Sequence, residues 1–177
     1  MNASRIARWS LAIALLAAAG WIVATGERAA PPVEDGAPAP EFRVARLGGG
    51  EISLAELRGN VVLVNFWATW CAPCEQEMPA IQRLYARLAP RGFELVAISV
   101  DDSAEPVAEF RDRLGLTFPI GLDPEKEAAQ RYQSLRFPES FLIDREGVLV
   151  ARYIGERDWD APEYAGRIAR LLNAPAK

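Results

Sequence analysis

The chain has 177 residues, half of them apolar, and a formal net charge of −4. That suits one domain with a sizeable core, and it argues against a disordered chain or a nucleic-acid binder with a basic face. There is no histidine, which excludes Ser-His-Asp and Cys-His nucleophilic sites and every histidine-ligated metal.

At the N-terminus, Arg5 and Arg8 precede an uncharged run from Trp9 to Thr25 that is rich in Ala, Leu and Ile. As a helix the run spans about 26 Å, slightly short of a hydrocarbon core of about 30 Å. Trp9 and Trp21 lie toward its ends, where interfacial indoles are favoured, and the arginines before it keep residues 1–8 cytoplasmic. The expectation is a signal-anchor over residues 1–26, single-pass in the inner (cytoplasmic) membrane, with the rest in the periplasm or an equivalent extracytoplasmic space. The alternative is a signal peptide cleaved after Ala17-Ala18-Ala19. The anchor is preferred because Trp21-Ile22-Val23-Ala24 carries the apolar run past that point. Residues 27–40 are a Pro/Ala-rich linker without apolar periodicity, able to hold the domain up to about 40 Å away when extended.

The globular domain is expected over residues 41–177. Phe42–Leu47 and Glu51–Ser53 flank three glycines and predict a hairpin, after which Ser53 is placed to cap a short helical turn through Leu57. Val61–Trp67 is nearly continuous apolar, the pattern of a central strand covered on both faces. Met78, Ile81, Leu84, Tyr85 and Leu88 recur at helical spacing. Phe93–Val100 predicts another buried strand. Asp102 with Glu105 reads as a capping box for a helix carrying Val107, Phe110 and Leu114. A short strand is expected at Phe118–Leu122, and Asp123-Pro124 fits the start of a helix reaching about Tyr132. Ser140–Ile143 and Val148–Ile154 predict a second hairpin, and a last helix runs near Ala161–Leu172. Together these predict an α/β fold with a mixed sheet sandwiched by helices.

Cys71 and Cys74, the only cysteines, follow a buried strand and open a helix. Residues three apart in a helix share a face, close enough to bridge. The unsatisfied N–H groups at a helix start favour a thiolate, and such settings lower a cysteine pKa from about 8.5 to roughly 7 or below. Pro73 is tolerated in a first turn. As a structural staple the pair closes a very short loop, worth about 2 kcal/mol against about 3 for fifteen residues. As half a zinc site it lacks two further ligands. As a haem attachment site it lacks the following histidine, because Glu75 stands there. Redox chemistry is therefore the reading the pair supports.

The run Val64-Asn65-Phe66-Trp67-Ala68-Thr69-Trp70-Cys71-Ala72-Pro73-Cys74 is followed by Glu77 and Pro79, and later by Phe137-Pro138-Glu139-Ser140-Phe141-Leu142-Ile143-Asp144. These residues resemble the thioredoxin superfamily, and within it the TlpA/ResA-like membrane-anchored branch that includes CcmG/DsbE-like proteins. The resemblance implies a thioredoxin-like fold with an N-terminal β-hairpin and a central helix–strand insertion near residues 104–122. It implies Cys71 as the attacking, more exposed thiolate and Cys74 as the buried resolving thiol. It also implies that Pro138 is a cis-proline facing the disulfide, with the Phe137 backbone and Trp70 on the substrate side. From the residues alone, Pro138 reads as a trans proline opening a strand.

Glu77 lies one turn after Cys74 on the same face. The resemblance implies a partly buried glutamate that handles protons for the cysteines; the alternative is a solvated glutamate near the positive end of a helix. Asn65 stands where cytosolic thioredoxins carry an aspartate, so proton transfer falls to Glu77 or water. Trp67 and Trp70 are expected to line the site, and Pro79 to kink the helix.

The expected reaction is reduction of a substrate protein's disulfide by Cys71, resolved by Cys74. No cofactor and no metal are expected beyond the redox-active pair. The resemblance implies a membrane electron donor supplying thiols, and an apocytochrome c or a copper-site protein as substrate. The alternative is a binding module, a Cu(I) chaperone holding the metal between the two thiolates.

Overall fold

The computed structural model describes residues 33–174; the anchor expected over residues 1–26 lies outside them. Among the described residues no helix is long and apolar enough to cross a membrane.

The two hydrophobic runs singled out above form the centre of the sheet. β3 (Val61–Trp67) is buried at every position, and β4 (Phe93–Ser99) at every position but Glu94. They pair in parallel, Val61 opposite Phe93 through Trp67 opposite Ser99. Five shorter strands complete the sheet: β1 (Arg43–Arg46), β2 (Glu51–Ser53), β5 (Ile120–Leu122), β6 (Glu139–Ile143) and β7 (Leu149–Ile154), in the order β2-β1-β5-β4-β3-β6-β7. β4 also pairs in parallel with β5, and the remaining four neighbouring pairs are antiparallel. The expected insertion supplies β5, which wedges between the core strand β4 and the N-terminal hairpin.

Alternation along β3 commits its side chains to two different jobs. Phe66 packs with Tyr132 and Phe141 at centroid separations of 5.3 and 5.9 Å, on one face. Asn65 and Trp67 point to the other, toward the helices α1 (Ala72–Leu88) and α2 (Ala104–Leu114). Trp67 is fully buried and stacks against Phe110 at 4.7 Å. It is therefore a core residue, and it does not line the site as expected. Two further α-helices among the described residues are α3 (Glu127–Arg131) and α4 (Pro162–Asn173).

Several local expectations are corrected. Val33 and Ala39 are buried, and Gly36 and Ala39 donate to the carbonyls of Leu149 and Gly147. The packed domain thus takes in the end of the Pro/Ala stretch, which pads the start of edge strand β7. Ser53 precedes a 3-10 turn (Leu54–Leu57), but its buried hydroxyl makes no capping bond. Ser103, and not Asp102, is the residue before α2. The helix expected from Asp123-Pro124 begins later, at Glu127, because residues 123–126 form a turn ending in a left-handed Lys126. Asp123 caps it all the same, accepting from the N–H groups of Ala128 and Ala129 at 3.2 and 2.9 Å.

Candidate active site

Cys71 is the residue before α1, so the helix begins at the cysteine pair itself. Cys71 and Cys74 are joined by a disulfide, with Cα atoms 5.2 Å apart. Cys74 is wholly buried and Cys71 retains 6% exposure, the order expected of an attacked and a resolving sulfur. The N–H of Cys74 points at Cys71 Sγ at 3.3 Å. Once the bond opens, that donor and the positive end of a 17-residue helix stabilise a thiolate at Cys71.

The loop feeding the helix is pinned from β4. Asp101 accepts from Thr69 N at 3.0 Å, Thr69 Oγ1 at 2.6 Å and Ser99 Oγ at 2.7 Å. Sequence reading missed Asp101, because its hold on Thr69 exists only once β3 and β4 lie side by side. The loop leaves Trp70 as an exposed indole, 67% accessible, meeting Phe137 edge-on at 6.1 Å. The Phe137–Pro138 peptide bond is cis. Gly155 N–H donates to the Pro138 carbonyl at 2.9 Å, tying this turn to the loop after β7. An exposed indole and the cis-proline turn thus meet beside the disulfide. Leu135 and Ile154, both exposed, line a neighbouring hollow of about 190 Å³.

Glu77 is buried, with 3% exposure, and not the solvated glutamate of the alternative reading. Its Oε1 accepts from Asn65 Nδ2 at 2.9 Å; its Oε2 accepts from Arg157 N at 3.1 Å and Trp159 Nε1 at 3.0 Å. Burial pushes its carboxyl up to about 7, against the lowering effect of those three donors and with a small further push from Glu156. Near neutral pH such a group both holds and releases a proton. Glu77 also borders an open cleft of about 340 Å³ shared with Arg83, Arg157 and Asp160, which gives that proton a path to water. Trp159 and the Arg157 backbone were also missed as site residues, since they lie some eighty positions away and only the fold brings them here.

Among the described residues no group of three or more His, Cys, Asp or Glu side chains is arranged to hold a metal ion. The site thus offers a redox-active cysteine pair and, one helical turn after Cys74, a buried carboxyl raised to about 7.

A model of the AhpC/TSA family matches residues 36–152. The chain is 40% identical over 122 residues to the thiol-disulfide oxidoreductase ResA of Bacillus thuringiensis (strain Al Hakam), covering 69% of this chain and 70% of that protein. The thiol-disulfide oxidoreductase ResA of Geobacillus kaustophilus (strain HTA426) is 39% identical over 145 residues, covering 80% and 82%. Among solved structures, a Chlorobium tepidum protein assigned as thiol:disulfide interchange protein DsbE matches with a TM-score of 0.75 at 30% identity, covering 80% of this chain and all of that one.

Proposed function

The chain belongs to the AhpC/TSA family and is a ResA-like thiol:disulfide oxidoreductase, and from that premise we propose that it reduces protein disulfides in an extracytoplasmic space. The observation that carries this reading is the placement of Cys71 at a helix start, beside the exposed Trp70 and the Phe137–Pro138 turn.

In the reduced protein, the Cys71 thiolate attacks one sulfur of a substrate disulfide and expels the other as a thiolate, leaving a mixed disulfide. Cys74 then loses its proton and attacks Cys71 Sγ, which releases the second substrate sulfur. Two electrons pass to the substrate, and the enzyme is left as the Cys71–Cys74 disulfide. Glu77, one helical turn behind Cys74, is the acceptor for the Cys74 proton in its ionised form. Trp70, Phe137 and Pro138 form the surface on which an extended substrate segment lies.

The reductive direction is supported by the Ala72-Pro73 dipeptide, which carries no charge to hold the reduced form strongly. Re-reduction falls to an external dithiol, which we place in a membrane protein reached by a domain tethered through the residues before Val33. The substrate is an apocytochrome c or a copper-site protein of respiratory oxidase assembly.

Cys74→Ala tests this reading, since without the resolving thiol Cys71 stalls as a mixed disulfide with its partner. Mass spectrometry of the trapped species is expected to return Cys-x-x-Cys-His peptides or a copper-site protein. A free, alkylatable Cys71 with no trapped protein would reject the reductase reading.

A further inference from the structure

The carboxylate of Glu77 is held unevenly. Oε2 accepts from two N–H groups, the Arg157 backbone at 3.1 Å and the Trp159 indole at 3.0 Å. Oε1 accepts from Asn65 Nδ2 alone, at 2.9 Å. A carboxylate oxygen offers about two lone-pair directions, so Oε2 is saturated while Oε1 keeps one free.

The partners also differ in kind. Arg157 N and Trp159 Nε1 only donate, so a proton on Oε2 would be set against two other hydrogens. Asn65 is a side-chain amide with an accepting as well as a donating end. Its Nδ2 also donates to Ser140 Oγ at 2.9 Å, and its Oδ1 is buried without a partner. An amide turned end for end offers that oxygen to a protonated Oε1, with the Ser140 hydroxyl reorienting to donate.

Trp159 is fixed in this role by its packing. It is 1% exposed and meets Tyr153 and Tyr164 at centroid distances of 5.4 and 5.0 Å. We propose that Trp159 is a positioning residue which, with the Arg157 N–H, saturates Oε2 so that Glu77 takes up and releases its proton at Oε1. The proposal rests on the reading of Glu77 as the proton acceptor for the cysteine pair.

The charged groups around Glu77 leave the assignment intact. Glu156 and Asp158 come from the same loop as Trp159, and the Arg157 guanidinium turns back onto the carbonyls of Gly155 and Glu156. Arg83 and Asp160, across the cleft, pair with each other at 2.5 Å. On α1, Glu75 pairs with Arg113. The strands contribute only the neutral Asn65 and Ser140.

The test is the titration midpoint of the Glu77 carboxyl, read by carbon-13 NMR on the oxidised protein and assigned by its loss in Glu77→Gln. In the wild type it is expected at about 7. Trp159→Phe keeps a ring in the aromatic cluster and deletes the donor, and is expected to raise the midpoint by roughly one unit. Replacing Trp159 with benzothienylalanine, which has the same outline and no N–H, separates the donor from packing and is expected to give the same shift. An unchanged midpoint with that replacement overturns the proposal. Asn65→Leu removes a partner that serves both protonation states, so its shift is expected to be smaller than that of Trp159→Phe; a larger one overturns the assignment to Oε1. The pH profile of disulfide reduction separates the two levels. If Glu77→Gln leaves that profile unchanged while the Trp159 variants move the NMR midpoint, the positioning role stands and the proton-acceptor reading fails.

Discussion

Glu77→Gln is expected to change how the stability of the oxidised protein depends on pH, by an amount set by the burial of the carboxyl. Burial raises the native carboxyl to about 7, from an ordinary glutamate value of 4.5. At about 1.4 kcal/mol per unit, the gap corresponds to roughly 3 kcal/mol. Because the native value is the raised one, folded protein binds the proton more tightly than the unfolded chain between the two values. The wild type therefore keeps this contribution below about pH 4.5 and loses it as pH rises through about 7. Glutamine cannot titrate, so the variant lacks that slope. Urea unfolding of both proteins from about pH 4 to about pH 8 isolates the effect, because every other group cancels in the difference. Relative to the wild type, Glu77→Gln is expected to gain roughly 3 kcal/mol across that window, nearly all of it between about pH 4.5 and 7. A difference that stays flat with pH would refute the claim that Glu77 is buried and titrates near neutrality.

Other substitutions probe the frame around the site. Arg152→Met strips the cation from Glu139, which is 2% exposed and bonded to Arg152 Nε at 2.5 Å. An abandoned buried carboxylate is expected to cost about 3 kcal/mol in urea unfolding, most of it recovered in the double variant with Glu139→Gln. Asp101→Asn weakens the anchor that holds Thr69 and Ser99, and a loss of about 2 kcal/mol is expected by the same assay. Arg83→Met removes a surface pair with side chains 60% and 39% exposed; at most a marginal loss of stability is expected in the same assay. A larger loss would show that this ion pair, and not buried Trp159, holds the loop after β7.

The parts of the fold legible in the sequence were those whose signal is local. Val61–Trp67 reads as a central strand because seven consecutive positions are covered on both faces. The helix behind the cysteines reads from Met78, Ile81, Leu84 and Leu88, all buried as their spacing implies. Helix starts were harder to place, because side-chain capping is a competition among near neighbours. Asp123 caps α3 from several residues outside the helix, across a turn that its Pro124 suggested was already helical. At the site, the cysteine pair and Pro138 stood out through their motifs, and the cis bond followed from the resemblance alone. The roles of Trp159, Arg157 and Asp101 were not legible, because each depends on a contact that only the fold creates. Hydrophobic patterning identifies what is buried; it does not say which buried N–H meets which carboxylate.

The central claim, dithiol–disulfide exchange at Cys71 and Cys74 toward substrate, is tested most directly by mixing the fully reduced protein with an oxidised Cys-x-x-Cys-His peptide. Acid-quenched mass spectrometry then follows both species. The account predicts that the peptide gains two hydrogens as the protein loses two, that a mixed disulfide through Cys71 is seen transiently, and that Cys71→Ala abolishes the transfer. A peptide that stays oxidised beside a protein whose thiols remain free would contradict it.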